Sequence, residues 1–301
     1  MERDEKEMKL IAEVGAASYK ALIKAKSMVK PGAKLLDVAE ATEKYLRESG
    51  FGCAFPLNLS VNSEAAHYTP SMMDDKVFGE KDIVKVDIGA SKDGILGDNA
   101  LTVDLSQQNG KLVEASQECL RNAISRVKAG VMVSDIGREI ENTARRHGFK
   151  PIMNLGGHEV KTHELHAGIF VPNYDNHDDT QLEEGMVVAI EPFVTDGKRG
   201  EVLESDVCEI FGYVGSAPIR APEARKVLAE IESNNEDEPF AVRWLTHTVG
   251  SKFALYKSIK ELAMAGMLTA YPMLVEASNG MVSQSEVEVM VTKDGCEVLT
   301  K

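Results

Sequence analysis

Residues 85–100 read Lys85-Val86-Asp87-Ile88-Gly89-Ala90-Ser91-Lys92-Asp93-Gly94-Ile95-Leu96-Gly97-Asp98-Asn99-Ala100. Ile83, Val84, Val86 and Ile88 before the turn, and Ala100 to Leu105 after it, have the composition of strands, and Ser91-Lys92-Asp93-Gly94 is turn chemistry of the Asp-Gly type. If those four residues close a hairpin, positions whose numbers sum to 185 face each other, which sets Asp87 opposite Asp98. Like charges opposed across a strand pair destabilise a sheet. A desolvated carboxylate is costly unless something positive compensates it, and a divalent cation would do so. A solvent-facing hairpin with two unrelated surface aspartates would need no such partner, and this stretch alone admits both readings.

Upstream, Met8, Ile11, Val14, Leu22, Ile23 and Val29 recur at helical spacing over residues 5–29, and Pro31-Gly32 breaks the pattern. A second helix is predicted from Leu35 to Ser49, stopped by Gly50. Downstream the order repeats, with helices from Leu112 to Val127 and from Ser134 to His147, the latter stopped by Gly148. Gly32, Asp37, Gly50 and Phe51 match Gly130, Asp135, Gly148 and Phe149 at an offset of 98, and Asn58-Leu59 recurs as Asn154-Leu155 at 96. The strand ending in Asp87 recurs at an offset of 104 as Glu184-Gly185-Met186-Val187-Val188-Ala189-Ile190-Glu191. The chain reads as internally duplicated, with halves of about 1–108 and 109–301 within one catalytic domain.

Duplication requires a partner for Asp98 in the second half, and Glu286 in the alternating stretch Gln284-Ser285-Glu286-Val287-Glu288-Val289-Met290-Val291 fills that place. Its offset from Asp98 is 188, which implies an insertion of 84 residues' extra spacing in the second half. Residues of about 215–278 fit that role, with helices predicted at Ala221–Ser233, Pro239–His247 and Lys252–Ala265. Trp244 is expected in the core, and Asn234-Asn235-Glu236-Asp237-Glu238-Pro239 as a charged surface loop.

Four acids thus come from symmetric places, Asp87 and Asp98 from one half and Glu191 and Glu286 from the other, and their charge matches two divalent metals. His158, after the paired glycines Gly156-Gly157 that allow close backbone approach, would complete a mixed oxygen and nitrogen donor set. His158-Glu159 followed by His163 is not an H-E-x-x-H zinc helix, because the histidines are five apart and glycines precede them. His177, in Tyr174-Asp175-Asn176-His177-Asp178-Asp179, reads as part of a polar loop.

Composition narrows the remaining classes. With 301 residues, 43% hydrophobic and 27% charged, the chain can bury a large core. No run approaches the ~18 apolar residues that span a bilayer, and Met1-Glu2-Arg3-Asp4-Glu5-Lys6 leads into an amphipathic helix, so a cytoplasmic protein is expected. Cys53, Cys119, Cys208 and Cys296 form no C-x-x-C pair and are expected to be reduced and structural. A net charge of −14 argues against a partner bound through nucleic-acid phosphates.

The set Asp87, Asp98, His158, Glu191 and Glu286, together with Ala66-His67-Tyr68 and Leu165-His166-Ala167-Gly168, resembles the methionine aminopeptidases of the duplicated pita-bread fold. The helical insertion between the two glutamates resembles the type 2 subclass in its short form. The resemblance covers essentially the whole chain and implies an α+β fold: pseudo-two-fold halves, an antiparallel sheet flanked by helices, and the insertion. It implies that Asp87 chelates one metal, that Asp98 and Glu286 bridge both, and that His158 and Glu191 complete the other. Two metals about 3.5–4 Å apart hold a bridging water as hydroxide and stabilise attacking and developing oxygens. Carboxylate-rich ligands with one imidazole suit Mn, Fe or Co, with Zn as a further candidate.

By the same resemblance His67 hydrogen-bonds the scissile amide or its leaving nitrogen and His166 stabilises the oxyanion. Glu191 is the carboxylate expected to accept the proton of the attacking water. Phe55, Leu165, Phe193 and Tyr271 match the family's positions for the pocket that receives the methionine side chain. The family often carries Phe-Glu-His-Thr around its last ligand where this chain has Ser285-Glu286-Val287-Glu288, although Tyr271-Pro272 keeps the family's distance before it.

The implied activity is removal of the initiator methionine from nascent polypeptides with a small second residue. The partners implied are those N-termini, with the ribosome as a potential docking site, for a monomer that binds neither membrane nor nucleic acid. Rival readings are a prolidase or Xaa-Pro aminopeptidase of the same fold, and a non-catalytic binding protein on this scaffold, which would be expected to lose ligands. All five ligand positions are filled here.

Overall fold

Two helices open the chain, α1 (Glu5–Met28) and α2 (Leu35–Glu48), followed by strands β1 (Gly52–Val61), β2 (Glu64–Ala66), β3 (Ile83–Lys92), β4 (Ile95–Gly97) and β5 (Asn99–Asp104). The order then recurs: α3 (Gly110–Ile124), α4 (Val133–Arg146), β6 (Lys150–Pro151), β7 (Gly156–Lys161), β8 (Glu164–Pro172), β9 (Val187–Ile190), β10 (Phe193–Thr195), β11 (Val202–Glu204) and β12 (Ile210–Tyr213). Gly32 and Gly50 follow α1 and α2 at φ +82°, and Gly130 and Gly148 follow α3 and α4 at +81°. That left-handed backbone is open to glycine without strain; Gly50 and Gly148 directly follow the caps of α2 and α4 and stop them, whereas Gly32 and Gly130 lie in the turns beyond α1 and α3. The structure, a computed structural model, describes residues 4–235 and 238–301. Met1-Glu2-Arg3 and, within the expected charged loop, Glu236-Asp237 lie outside the described residues.

Next come α5 (Pro222–Asn234), β13 (Phe240–Ala241), a 3₁₀ turn (Val242–Leu245), α6 (Lys252–Met264) and β14 (Leu268–Tyr271), with their own core of Val227, Ile231, Phe240, Leu255, Ile259 and Leu262. The helix expected over Pro239–His247 is instead β13 and the short 3₁₀ turn. Phe240 pairs with Phe211 on the neighbouring strand, where aromatic side chains suit a pleated surface. Trp244 is only half buried, and its indole N–H reaches a carboxylate. The chain finishes with β15 (Leu274–Glu276), β16 (Val282–Gln284), β17 (Glu286–Val291) and β18 (Cys296–Val298).

The opening hairpin closes more tightly than the sequence suggests. Only Asp93 and Gly94 separate β3 from β4, at φ +49° and +78°. Two positive φ values make the primed two-residue turn whose twist matches that of paired strands. Pairing therefore runs Lys92 to Ile95, Ala90 to Gly97 and Asp87 to Ala100, so facing positions sum to 187. Asp98 lies diagonal to Asp87 instead of opposite it. A shift of two residues leaves every side chain on its face, whereas a shift of one would reverse them all.

The main sheet runs β1-β3-β5-β17-β9-β7-β8, a near-palindrome about the β5–β17 pair, and its strand pairs are antiparallel. Strand alternation decides what faces the helices. Val84, Val86 and Ile88 of β3 pack in the core beneath α1 and α2. Val188 and Ile190 of β9, with Val289 and Val291 of β17, pack in the core beneath α3 and α4. The alternate positions, Asp87, Asp98, Glu191, Glu286 and Glu288, are thereby turned to the opposite face. Ala189 and Met290 share that face in a separate apolar cluster with Phe55 and Leu165.

Candidate metal centre and substrate cavity

Asp87 from β3, Asp98 between β4 and β5, Glu191 just beyond β9 and Glu286 at the start of β17 converge at the middle of the sheet. His158 on β7 joins them, its Nε2 standing 3.6 Å from Asp98 Oδ2 and 3.6 Å from Glu191 Oε1. Donor atoms of Asp98, His158 and Glu286 all lie within 4.8 Å of one another. His158 Nδ1 lies 3.4 Å from the Glu159 carbonyl, which can only accept. The proton therefore sits on Nδ1, and Nε2 turns its lone pair toward the acids.

Burial pushes the Asp87 carboxyl up to about 6, against the pull of a hydrogen bond from Gln284. Asp98, Glu191 and Glu286 are raised well above the usual carboxylate range, first by burial and then by the charge of neighbouring carboxylates, Asp87 among them in each case. Among the described residues lining the cavity there is no lysine or arginine. Acids that burial and mutual repulsion drive toward protonation, beside an imidazole lone pair, form a donor set that divalent cations would discharge. The residues present fit such ions.

The cluster opens into a cavity of about 400 Å³ whose wall includes Phe55, His67, Leu165, His166, Phe193 and Tyr271, so every residue expected to touch substrate lines one space. The rings interlock: Phe55 stands edge-on to Tyr271 at 5.3 Å, and His166 edge-on to His158 at 4.5 Å. Burial lowers His67 to about 4, with the neighbouring His166 adding to the effect. His166 is exposed on the cavity wall, and desolvation by the surrounding protein also lowers it to about 4. Both rings are therefore neutral at pH 7. His67 Nδ1 lies 3.2 Å from the Pro272 carbonyl, so that nitrogen carries the proton and Nε2 is an acceptor.

Three residues beyond those singled out in the sequence belong to this site. Gln284 directs its amide nitrogen at Asp87, Glu191 and Glu286 at 3.2, 3.4 and 3.5 Å. Its signal was period-two spacing from Glu286, which places both on one face. Asn58 Oδ1 accepts the His67 backbone N–H at 2.6 Å, and Glu288 Oε2 accepts that of Asp98 at 2.8 Å. Nothing local announces those two contacts, which join segments 9 and 190 residues apart. His163 sits in the turn between β7 and β8, its N–H donated to the Gly94 carbonyl, and His177 is exposed; neither joins the cluster.

A duplicated sheet with helices behind it carries a buried acid and imidazole cluster in front, the framework of a metal-binding protein. Residues 9–213 match the model of metallopeptidase family M24. The methionine aminopeptidase of Archaeoglobus fulgidus is 45% identical over 298 residues, 99% of each chain. The crystal structure of methionine aminopeptidase from Thermotoga maritima superposes with a TM-score of 0.72 at 24% identity, over 99% of this chain and 98% of that one, which shows the pita-bread fold. The prolidase from Pyrococcus furiosus has a TM-score of 0.64 at 18% identity, and only 65% of that chain is covered. This chain belongs to metallopeptidase family M24, among the methionine aminopeptidases. Divalent metal binding comes with that membership. Among the described residues, no helix is long and apolar enough to cross a membrane.

Proposed function

We propose that this chain removes the initiator methionine from newly made polypeptides whose second residue is small, acting as a monomer in the cytoplasm with two divalent cations. The observation that carries this reading is the opening of the acid and imidazole cluster directly into an aromatic-walled cavity. Relatives named methionine aminopeptidase at 45% identity support it. Asp87, Asp98, His158, Glu191 and Glu286 would hold the cations. When bound, such ions neutralise the carboxylates, polarise the scissile carbonyl and lower the pKa of water.

The side chains do the rest. Glu191 accepts the proton of the attacking water. His67, its Nδ1 proton committed to Pro272, offers Nε2 to the N–H of the scissile amide and fixes the bond's orientation. His166 donates an N–H to the developing oxyanion. Phe55, Leu165, Phe193 and Tyr271 enclose the methionine side chain, whose polarizable sulfur gains from aromatic neighbours.

Methionine release from Met-Ala-Ser and alanine release from an Ala-Pro peptide, each with added Mn or Co, test the specificity. Release from the first substrate is expected, and activity on the second alone would overturn the reading. His67→Ala should cut turnover while leaving bound metal unchanged; turnover equal to the parent's would remove His67 from the mechanism.

A further inference from the structure

His67 has a strained backbone, with φ at +64°. A non-glycine residue stays in that left-handed region only when its surroundings hold it there. Upstream, Asn58 Oδ1 grips the His67 N–H, and Pro272, just beyond β14, accepts from the ring. Downstream, the Tyr68 carbonyl accepts the Leu59 N–H at 2.8 Å, and the next two residues meet Arg243, which stands in the 3₁₀ turn between β13 and α6 with its side chain only 3% exposed. Its Nη1 donates to Thr69 Oγ1 at 2.7 Å and to the Pro70 carbonyl at 3.1 Å, two and three residues past His67. Its Nη2 pairs with Glu43 on α2, a carboxylate only 1% exposed. Glu43 also accepts from the Trp244 indole at 2.8 Å and the Leu57 N–H at 3.2 Å, and Thr69 Oγ1 donates to the Leu57 carbonyl at 2.8 Å.

A buried polar network of this kind, in which Arg243 Nε has no partner, is a poor source of stability, because a buried ion pair seldom outperforms well-packed apolar side chains. It does fix geometry: the planar guanidinium has one orientation that meets Glu43, Thr69 and Pro70 together. We propose that Arg243 is a positioning residue, through which the helical segment between β12 and β14 sets the His67 ring against the substrate cavity. Without this anchor, the loop after His67 relaxes toward negative φ and the ring leaves the cavity wall. The inference rests on the reading of His67 as the residue that orients the scissile amide.

The test pairs Glu43→Gln with Arg243→Met, so that no lone charge is left buried and Trp244 keeps an acceptor. With Mn saturating and Met-Ala-Ser as substrate, kcat is expected to fall by about tenfold to 100-fold, as for a misplaced catalytic group, with a much smaller change in KM and unchanged bound metal. Amide hydrogen exchange should accelerate over residues 67–72, while the buried α5 positions Val227, Leu228 and Ile231 stay protected. Arg243→Lys, which reaches the same place with a single charge, should recover part of kcat. A kcat equal to the parent's, or loss of α5 protection together with that of the loop, would overturn the proposal. Should the double variant fail to fold, Thr69→Val, which removes the hydroxyl that links Arg243 to the Leu57 carbonyl, is judged by the same readouts. His67→Ala is measured in parallel: if it leaves kcat intact, the reading of His67 fails, and the exchange pattern alone decides for or against the anchor.

Discussion

Replacing Gln284 by leucine should weaken cation binding about tenfold while leaving the fold intact. The amide nitrogen has two hydrogens and faces three carboxylate oxygens, at 3.2, 3.4 and 3.5 Å, so at most two hydrogen bonds form at once. All three contacts are long, which places the loss at the lower end of the range for hydrogen bonds to charged groups, ~1.5 kcal/mol. At ~1.4 kcal/mol per decade that is one order of magnitude in affinity. Leucine has similar bulk and lies in a strand whose neighbours Val282 and Ser283 are fully buried, so packing is largely kept. Titration of the metal-free variant with Mn, followed by calorimetry and beside the parent, measures the effect. A dissociation constant within about twofold of the parent's would show that the carboxylates need no such brace, and the reasoning would be wrong.

Cation removal itself should lower the melting temperature: each ion held at a hundredfold excess over its dissociation constant stabilises by ~2.7 kcal/mol, roughly 4 °C for a chain of this size, and a chelator that leaves the melt unmoved would count against the site. Gly94→Ala should lose ~1 kcal/mol in a thermal melt, because alanine at φ +78° is strained and its Cβ would stand 2.3 Å from the His163 ring; an unchanged melt would deny the primed turn. Burial pulls the Glu276 carboxyl up, but hydrogen bonds from Gly280, Ser278 and Gly200 outweigh it and leave the pKa below its ordinary value. A depressed folded-state value stabilises above the unfolded pKa of ~4.3 and is lost as pH falls through the folded one. Glu276→Gln should therefore cost most at neutral pH and progressively less in acid, and a pH-independent difference in denaturant melts would contradict that sign.

The metal-centre candidates were legible because each sits at a place where local rules conflict. An acid in the middle of Ile83 to Ala90, another after a Gly in the returning strand, and a third at the end of Val187–Ile190 all break an apolar pattern, and duplication supplied Glu286 through an alternating strand. The misread turn cost nothing in the site, because the true register differs by two residues and the faces are unchanged. The expected helix at Pro239–His247 failed for a different reason. Its apolar spacing suits either state, and pairing of Phe240 with Phe211 decided for strand.

By itself the sequence determined the elements, the doubling of their order and the chemical types of the donors, since periodicity, glycine stops and turn residues act within a few positions of the chain. Tertiary structure alone decided which groups meet. The β5–β17 pair brings Glu286 alongside Ala100 in the middle of the sheet, across 186 residues, and Arg243 reaches Thr69 and Glu43 across 174 and 200. Contacts at such separations depend on how the two halves of the chain join in one sheet and on what packs against it, and a buried polar atom leaves no periodic trace of its partner in the chain.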